Sequence, residues 1–131
     1  MTTDPVSVLV VDDQAPFRAA ARAVVARVEG FQLVGEAAGG AEGVELAAAL
    51  HPDLVLMDIN MPEMSGIEAT RLILAERRET LVVLCSTYDR SDLPPDAASS
   101  GARAYVHKEQ LAPDALRRLW AERESLAFFP G

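Results

Sequence analysis

Four short stretches carry side chains able to do chemistry, and each follows an apolar run. Asp12-Asp13 follows VSVLVV, Asp58 follows DLVLM, Ser86-Thr87 follows LVVLC and His107-Lys108 follows ARAYV. If those runs lie side by side as strands, three carboxylates and one ammonium converge on a single edge. Two carboxylates about 4 Å apart repel by roughly 4 kcal/mol at an effective dielectric near 20, so three together call for a cation. Oxygen ligands with few protein contacts suit Mg²⁺, which retains several waters and is commonly completed by a phosphoryl oxygen; zinc and iron are disfavoured. Taken singly, each group has a plainer role. Asp12-Asp13 could cap a following helix, Asp58 could be a turn residue before Pro62, and Lys108 could be a solvated charge. Glu76-Arg77-Arg78-Glu79 reads as a solvated helix end, His51 as a loop residue and Cys85 as a small buried hydrophobe. Convergence of four weak signals on one place is what singles out the acidic set, Ser86 and Lys108.

The elements that must position these groups are legible in the apolar pattern. Residues 6–11 form a β-branched run too short for a helix and too uniformly apolar for a strand with a wet face. Phe17, Ala21, Val24, Val25 and Val28 then fall at helical spacing until Gly30. The unit repeats: strands are expected over 31–36, 53–57, 81–85 and 102–106, and helices over 41–50, 66–78 and 112–126, the last with Leu116, Leu119 and Trp120 on its apolar side. Strands alternating with helices imply parallel pairing with helices on both faces, because each crossover passes over the sheet. The expected fold is an open, doubly wound five-stranded α/β sheet whose functional groups gather beyond the carboxyl ends of its strands. Between the fourth and fifth strands, Leu93-Pro94-Pro95 allows a helix to begin only at the prolines, so the fourth helix should be short.

Composition narrows the function classes. The chain has 131 residues, 50% hydrophobic and 24% charged, as expected of one globular domain spanning residues 1–131 with its core over about 6–126. A net charge of −8 repels phosphate backbones, which argues against direct nucleic-acid binding by this chain. One cysteine excludes an internal disulfide, and His51 and His107 give no metal-ligand spacing, so a cytoplasmic location is expected. Thr2, Thr3 and Asp4 do not resemble the start of a signal peptide, and no run is long enough to span a membrane.

Three segments together resemble the response-regulator receiver domain of two-component signalling, over nearly the whole chain. VLVVDDQ at 8–14 is similar to the family's acidic pair, DLVLMDINMPEMSG at 53–66 to its phosphoacceptor strand and loop, and GARAYVHK at 101–108 to its last strand with the lysine. Ser86 lies 28 residues after Asp58 and 22 before Lys108, which fits the family's switch hydroxyl better than Thr87 does; Tyr105 falls where the family carries its switch aromatic. The resemblance implies a flavodoxin-like strand order of 2-1-3-4-5. It implies that Asp58 takes a phosphoryl group from a histidine kinase, that Asp13, Asp58 and the Asn60 carbonyl bind Mg²⁺ directly, and that Asp12 assists through water. Lys108 would neutralise the phosphoryl oxygens, Ser86 would bond to them, and Tyr105 would follow Ser86 into the space it vacates. Implied partners are a sensor histidine kinase or phosphotransfer protein and a downstream protein or output domain, with room for a homodimer on phosphorylation.

The chain also departs from the family. Glu109 stands where proline often follows the lysine, Thr87 is bulkier than is usual at its place, and Pro94-Pro95 alters the region of the fourth helix. Phe128-Phe129-Pro130-Gly131 does not begin a DNA-binding domain, and a free-standing receiver is expected. Two readings from other classes compete with this one. A receiver-shaped module working without phosphorylation would not need the intact Asp12, Asp13, Asp58, Ser86 and Lys108. A dehydrogenase would want G-x-G-x-x-G where DDQAPF stands, and an aspartyl phosphatase a second acid where Asn60 stands.

Overall fold

Apolar runs at 6–11, 54–58 and 81–86 can bury both of their faces only at the centre of a sheet covered on two sides. The computed structural model, which describes residues 4–126, places them there. The elements are β1 (Val6–Val11), α1 (Ala15–Ala26), β2 (Phe31–Ala37), α2 (Gly40–Leu50), β3 (Leu54–Asp58), α3 (Gly66–Glu76), β4 (Leu81–Ser86), β5 (Ala104–His107) and α4 (Pro113–Ala121). All neighbouring strands are parallel, in the order β2-β1-β3-β4-β5. Every residue of β3 and β4 is buried, whereas the edge strand β2 is mostly half-exposed. The expectations for residues 1–3 and for Phe128-Phe129-Pro130-Gly131 fall outside the described residues.

Alternation along the strands divides the core in two. Leu9, Val11, Val55, Met57, Val82 and Leu84 point to one face and pack with Ala47 of α2 and Ile67 and Ile73 of α3. Val8, Val10, Leu54, Leu56, Val83 and Cys85 point to the other and pack with Ala21 and Val25 of α1 and Leu116 of α4. Phe17, Val24, Leu119 and Trp120 complete that second layer. Burial pushes the Cys85 thiol up to about 12, so this cysteine is a space-filling hydrophobe, as its strand position implied.

Local chemistry starts and stops the helices. Pro16 and Pro113 open α1 and α4, where a missing N–H costs nothing. The Ser65 hydroxyl accepts the Glu68 N–H to cap α3. Gly43 lets α2 approach β1 closely, since a Cβ there would sit 2.8 Å from a Val11 methyl carbon.

Some boundaries differ from the sequence expectation by a residue or two, among them α3, which ends at Glu76 instead of 78; three differences are larger or bear on the site. The fourth helix is reduced to two single 3-10 turns, Arg90–Asp92 and Pro95–Ala97. Each proline biases the residue before it toward extended backbone, and Leu93 and Pro94 both have ψ of 143°. The last helix stops at Ala121 instead of reaching 126, because the Arg123 guanidinium bonds the Trp120 carbonyl at 2.7 Å and the chain continues in turns. β5 runs Ala104–His107 instead of 102–106.

Gly43→Ala should cost about 1–3 kcal/mol in urea denaturation, because the added methyl meets both methyls of the buried, branched Val11 side chain. Gly39→Ser, at the start of α2 with open space around it, should be neutral or slightly stabilising. Equal effects of the two substitutions would refute the close α2–β1 contact.

Candidate functional site

Parallel register carries the chemical groups to one edge. Asp58 closes β3 opposite Cys85, Ser86 closes β4 opposite His107, and Val11 pairs with Met57, which sets Asp12 beside Asp58. Carboxylate oxygens of Asp12, Asp13 and Asp58 all lie within 4.8 Å of one another. Asp12 and Asp58 are buried and Asp13 is exposed. Gln14, Asp58, Asn60, Ser86, Thr87 and Lys108 line a polar depression of about 210 Å³ above them.

Lys108 reaches into this cluster. Its Nζ lies 2.7 Å from Asp12 Oδ2 and 3.5 Å from Asp58 Oδ1, with its side chain only 10% exposed. The Gln14 amide oxygen, 3.4 Å away, and the Phe17 ring, with its centroid 4.6 Å away, enclose the ammonium. Burial works against the Lys108 charge. Contact with Asp12 and the charges of Asp58 and Asp12 outweigh it and hold the ammonium above the ordinary lysine pKa. Asp58 moves the other way: burial, then the Asp12 charge, raises its pKa to about 6 against the pull of Lys108.

Asp12 serves two purposes, neither of them a side-chain cap on α1. One carboxylate oxygen accepts the Gln14 N–H at 2.8 Å, shaping the turn into α1. The other finds only the Lys108 ammonium. Arg18 fixes the same turn by donating to the Asp12 carbonyl at 2.7 Å.

Ser86 and Tyr105 meet beneath the rim. The Ser86 hydroxyl oxygen accepts the Tyr88 N–H at 2.9 Å. The Tyr105 hydroxyl, with one hydrogen to donate, lies 2.5 Å from the Tyr88 carbonyl oxygen and 2.9 Å from that of Ser86. Tyr105 is set inward beneath the rim, 5% exposed. The Asn60 side chain donates to the Tyr88 hydroxyl at 2.9 Å, joining the loop after β3 to the one after β4.

Several contributors were not singled out from the sequence: Gln14, Phe17, Arg18, Tyr88 and the side chain of His107. Gly66 is another. A Cβ on Gly66 would fall 1.8 Å from the Asp58 carbonyl oxygen, and the Gly66 N–H donates to the Ile59 carbonyl at 2.8 Å. Its signal was a glycine opening a helix eight residues beyond the candidate nucleophile.

A five-stranded parallel sheet in this order, with an acidic cluster and a lysine at the carboxyl edge of its strands, defines a flavodoxin-like fold of the signal-receiver class. A family model described as the response regulator receiver domain matches residues 8–120, and the chain belongs to that family. It is 38% identical over 103 residues to the response regulator GacA of Pseudomonas aeruginosa, covering 79% of this chain and 48% of that protein. It is 42% identical over 104 residues to the transcriptional regulatory protein PdtaR of Mycobacterium tuberculosis, covering 79% and 50%. The chain thus spans about half the length of these relatives. Among solved structures, the response regulator domain of Thermotoga maritima CheB superposes with a TM-score of 0.79 at 31% identity, covering 96% of this chain and 99% of that one. The signal receiver domain of a NarL response regulator from M. tuberculosis gives 0.80 at 28% identity, covering 88% and 96%.

The raised Asp58 pKa makes stability depend on pH. A carboxyl whose folded value exceeds its unfolded value favours the fold most when protonated; that contribution is complete below the unfolded value, near 3.8, and is lost as pH rises through about 6. A rise of roughly two units corresponds to about 3 kcal/mol at most. In chelator at pH 8, Asp58→Asn should therefore be about 1–3 kcal/mol more stable than the parent in urea denaturation, with the gap closing toward pH 4. A variant no more stable than the parent at pH 8 would contradict the burial and charge crowding described at Asp58.

Proposed function

We propose that this receiver domain accepts a phosphoryl group on Asp58 from the phosphohistidine of a sensor histidine kinase or a phosphotransfer protein. The observation that carries this reading is the Asp58 carboxylate, held at a strand end in an open depression with the Lys108 ammonium 3.5 Å away. An Asp58 oxygen attacks phosphorus, the P–N bond of the donor breaks, its imidazole leaves with the bonding pair, and an aspartyl phosphate forms. Lys108 faces the oxygens on which charge accumulates, and Asp12 keeps the ammonium aimed there.

The donor set fits a hard divalent cation: three carboxylates with oxygens within 4.8 Å and no sulfur or imidazole among them. Asp12, Asp13, Asp58 and Asn60 are the residues that would hold Mg²⁺. Bound there, the ion would supply the positive charge that Lys108 alone does not. Within the chain, Asp58 is the nucleophile, Lys108 the charge partner and Ser86 the hydroxyl that bonds the transferred group.

Ser86 also links acceptance to output. To turn toward a phosphoryl oxygen, its hydroxyl gives up the Tyr88 N–H, and the loop held by Tyr88, Tyr105 and Asn60 rearranges with it. A downstream protein or output domain would read the surface of β4, β5, α4 and the segment with the two 3-10 turns, which could also support a homodimer on phosphorylation. Such partners place the work in the cytoplasm, in a receiver unit spanning residues 1–131. Among the described residues no helix is long and apolar enough to cross a membrane.

Incubation with Mg²⁺ and acetyl phosphate should add one phosphoryl mass to the chain, with no gain in excess chelator and none for Asp58→Asn. Labelling of that variant at the parent rate would overturn the assignment. Hydrogen exchange with and without beryllofluoride should change most across residues 86–108; a change confined to α1 and α2 would defeat the proposed route to output.

A further inference from the structure

We propose that His107 is a positioning residue that ties the strand end carrying Ser86 to the turn carrying Lys108. The proposal rests on the phosphoacceptor reading above and assigns a role to a side chain that the reading leaves unused. Register places Ser86 opposite His107, so the next residues, Thr87 and Lys108, leave adjacent strands together. The His107 imidazole bridges these two exits. Its Nε2 lies 3.1 Å from the Thr87 carbonyl oxygen, and its Nδ1 lies 3.1 Å from the Glu109 backbone nitrogen.

Each contact dictates one ring nitrogen. A carbonyl can only accept, so Nε2 must carry hydrogen; a backbone N–H can only donate, so Nδ1 must present its lone pair. The imidazole is therefore neutral and in a single tautomer. Through Nδ1 it caps the 3-10 turn Lys108–Gln110, the turn from which the Lys108 side chain departs toward Asp12 and Asp58. Charged neighbours do not replace this arrangement: the Glu109 carboxylate stands 4.0 Å from Nδ1, and Asp89 and Arg90 line the adjoining depression. Glu109 also explains why a histidine can act here. A proline at that place would offer no N–H to capture, whereas Glu109 does.

The two ends can be separated by substitution. Asn at 107 offers an amide oxygen near the place of Nδ1 and keeps the cap while losing the reach to Thr87. Gln offers an amide nitrogen near the place of Nε2 and keeps the reach while losing the cap. With Mg²⁺ and acetyl phosphate, His107→Ala should label at Asp58 about tenfold more slowly than the parent, because the ammonium is no longer held over the carboxylates. His107→Asn should recover most of that loss and His107→Gln little of it, with melting temperatures of the three variants alike. ¹⁵N spectra of the parent should show the ring protonated at Nε2 alone near pH 8. Parent-like labelling by His107→Ala, equal losses in the Asn and Ala variants, or a ring protonated at Nδ1 would each overturn the inference. If the parent itself takes no label at Asp58, the phosphoacceptor reading fails, while the tautomer still decides whether His107 bridges the two exits.

Discussion

One ammonium set among three carboxylates governs this molecule. Lys108 neutralises one charge of the cluster formed by Asp12, Asp13 and Asp58, while burial, then the Asp12 charge, raises Asp58 well above the usual carboxylate range. The fold sustains this imbalance because its hydrophobic layers hold the strand ends in register regardless of what the rim prefers. Leu9, Leu54, Leu56, Leu84 and Leu116 are essentially inaccessible to water, and burying each such side chain contributes about 1.5–3 kcal/mol. Crowded charge at the rim is thus opposed by packing a few residues below it. An uncompensated acidic cluster of this kind favours cations and, once a cation is present, anionic phosphoryl oxygens.

Much of this was legible in the sequence, for a physical reason. A strand buried on both faces must be apolar at every position, so β1, β3 and β4 stand out as short uninterrupted runs, and the polar residue that ends each one marks the rim. Asp12, Asp58 and Ser86 were found that way, and Lys108 by its place after the fifth strand. The helix end at Glu76 and the start of β5 were less legible, because they depend on where individual backbone hydrogen bonds stop.

What was not legible depends on contacts between residues distant in the chain. Tyr88 looks like any loop aromatic until Asn60 is found donating to its hydroxyl. His107 gave no ligand spacing because its partners are a backbone carbonyl and a backbone N–H, which leave no mark on side-chain patterns. The inward setting of Tyr105 is also a tertiary choice. Its hydroxyl reaches carbonyls at the end of β4 and just beyond, while the Arg90 guanidinium donates to the Tyr105 carbonyl at 3.3 Å and lies 5.9 Å from the Tyr105 ring centroid. Leu93-Pro94-Pro95 did announce a weakened fourth helix, but the two prolines act in series and leave no α-helical turn at all.

The bare backbone of Gly66 against the Asp58 carbonyl gives the rim an uneven stiffness. On that side the strand end carrying Asp58 meets α3 with no side chain between them, a contact that resists compression steeply. On the other side, Ser86, Tyr88 and Tyr105 are tied to one another by hydrogen bonds, which stretch and exchange at far smaller cost. A force applied at Asp58 is therefore absorbed by the softer wall. Direction of response is in this sense a mechanical property of the resting domain, fixed by where a glycine allows helix and strand to touch.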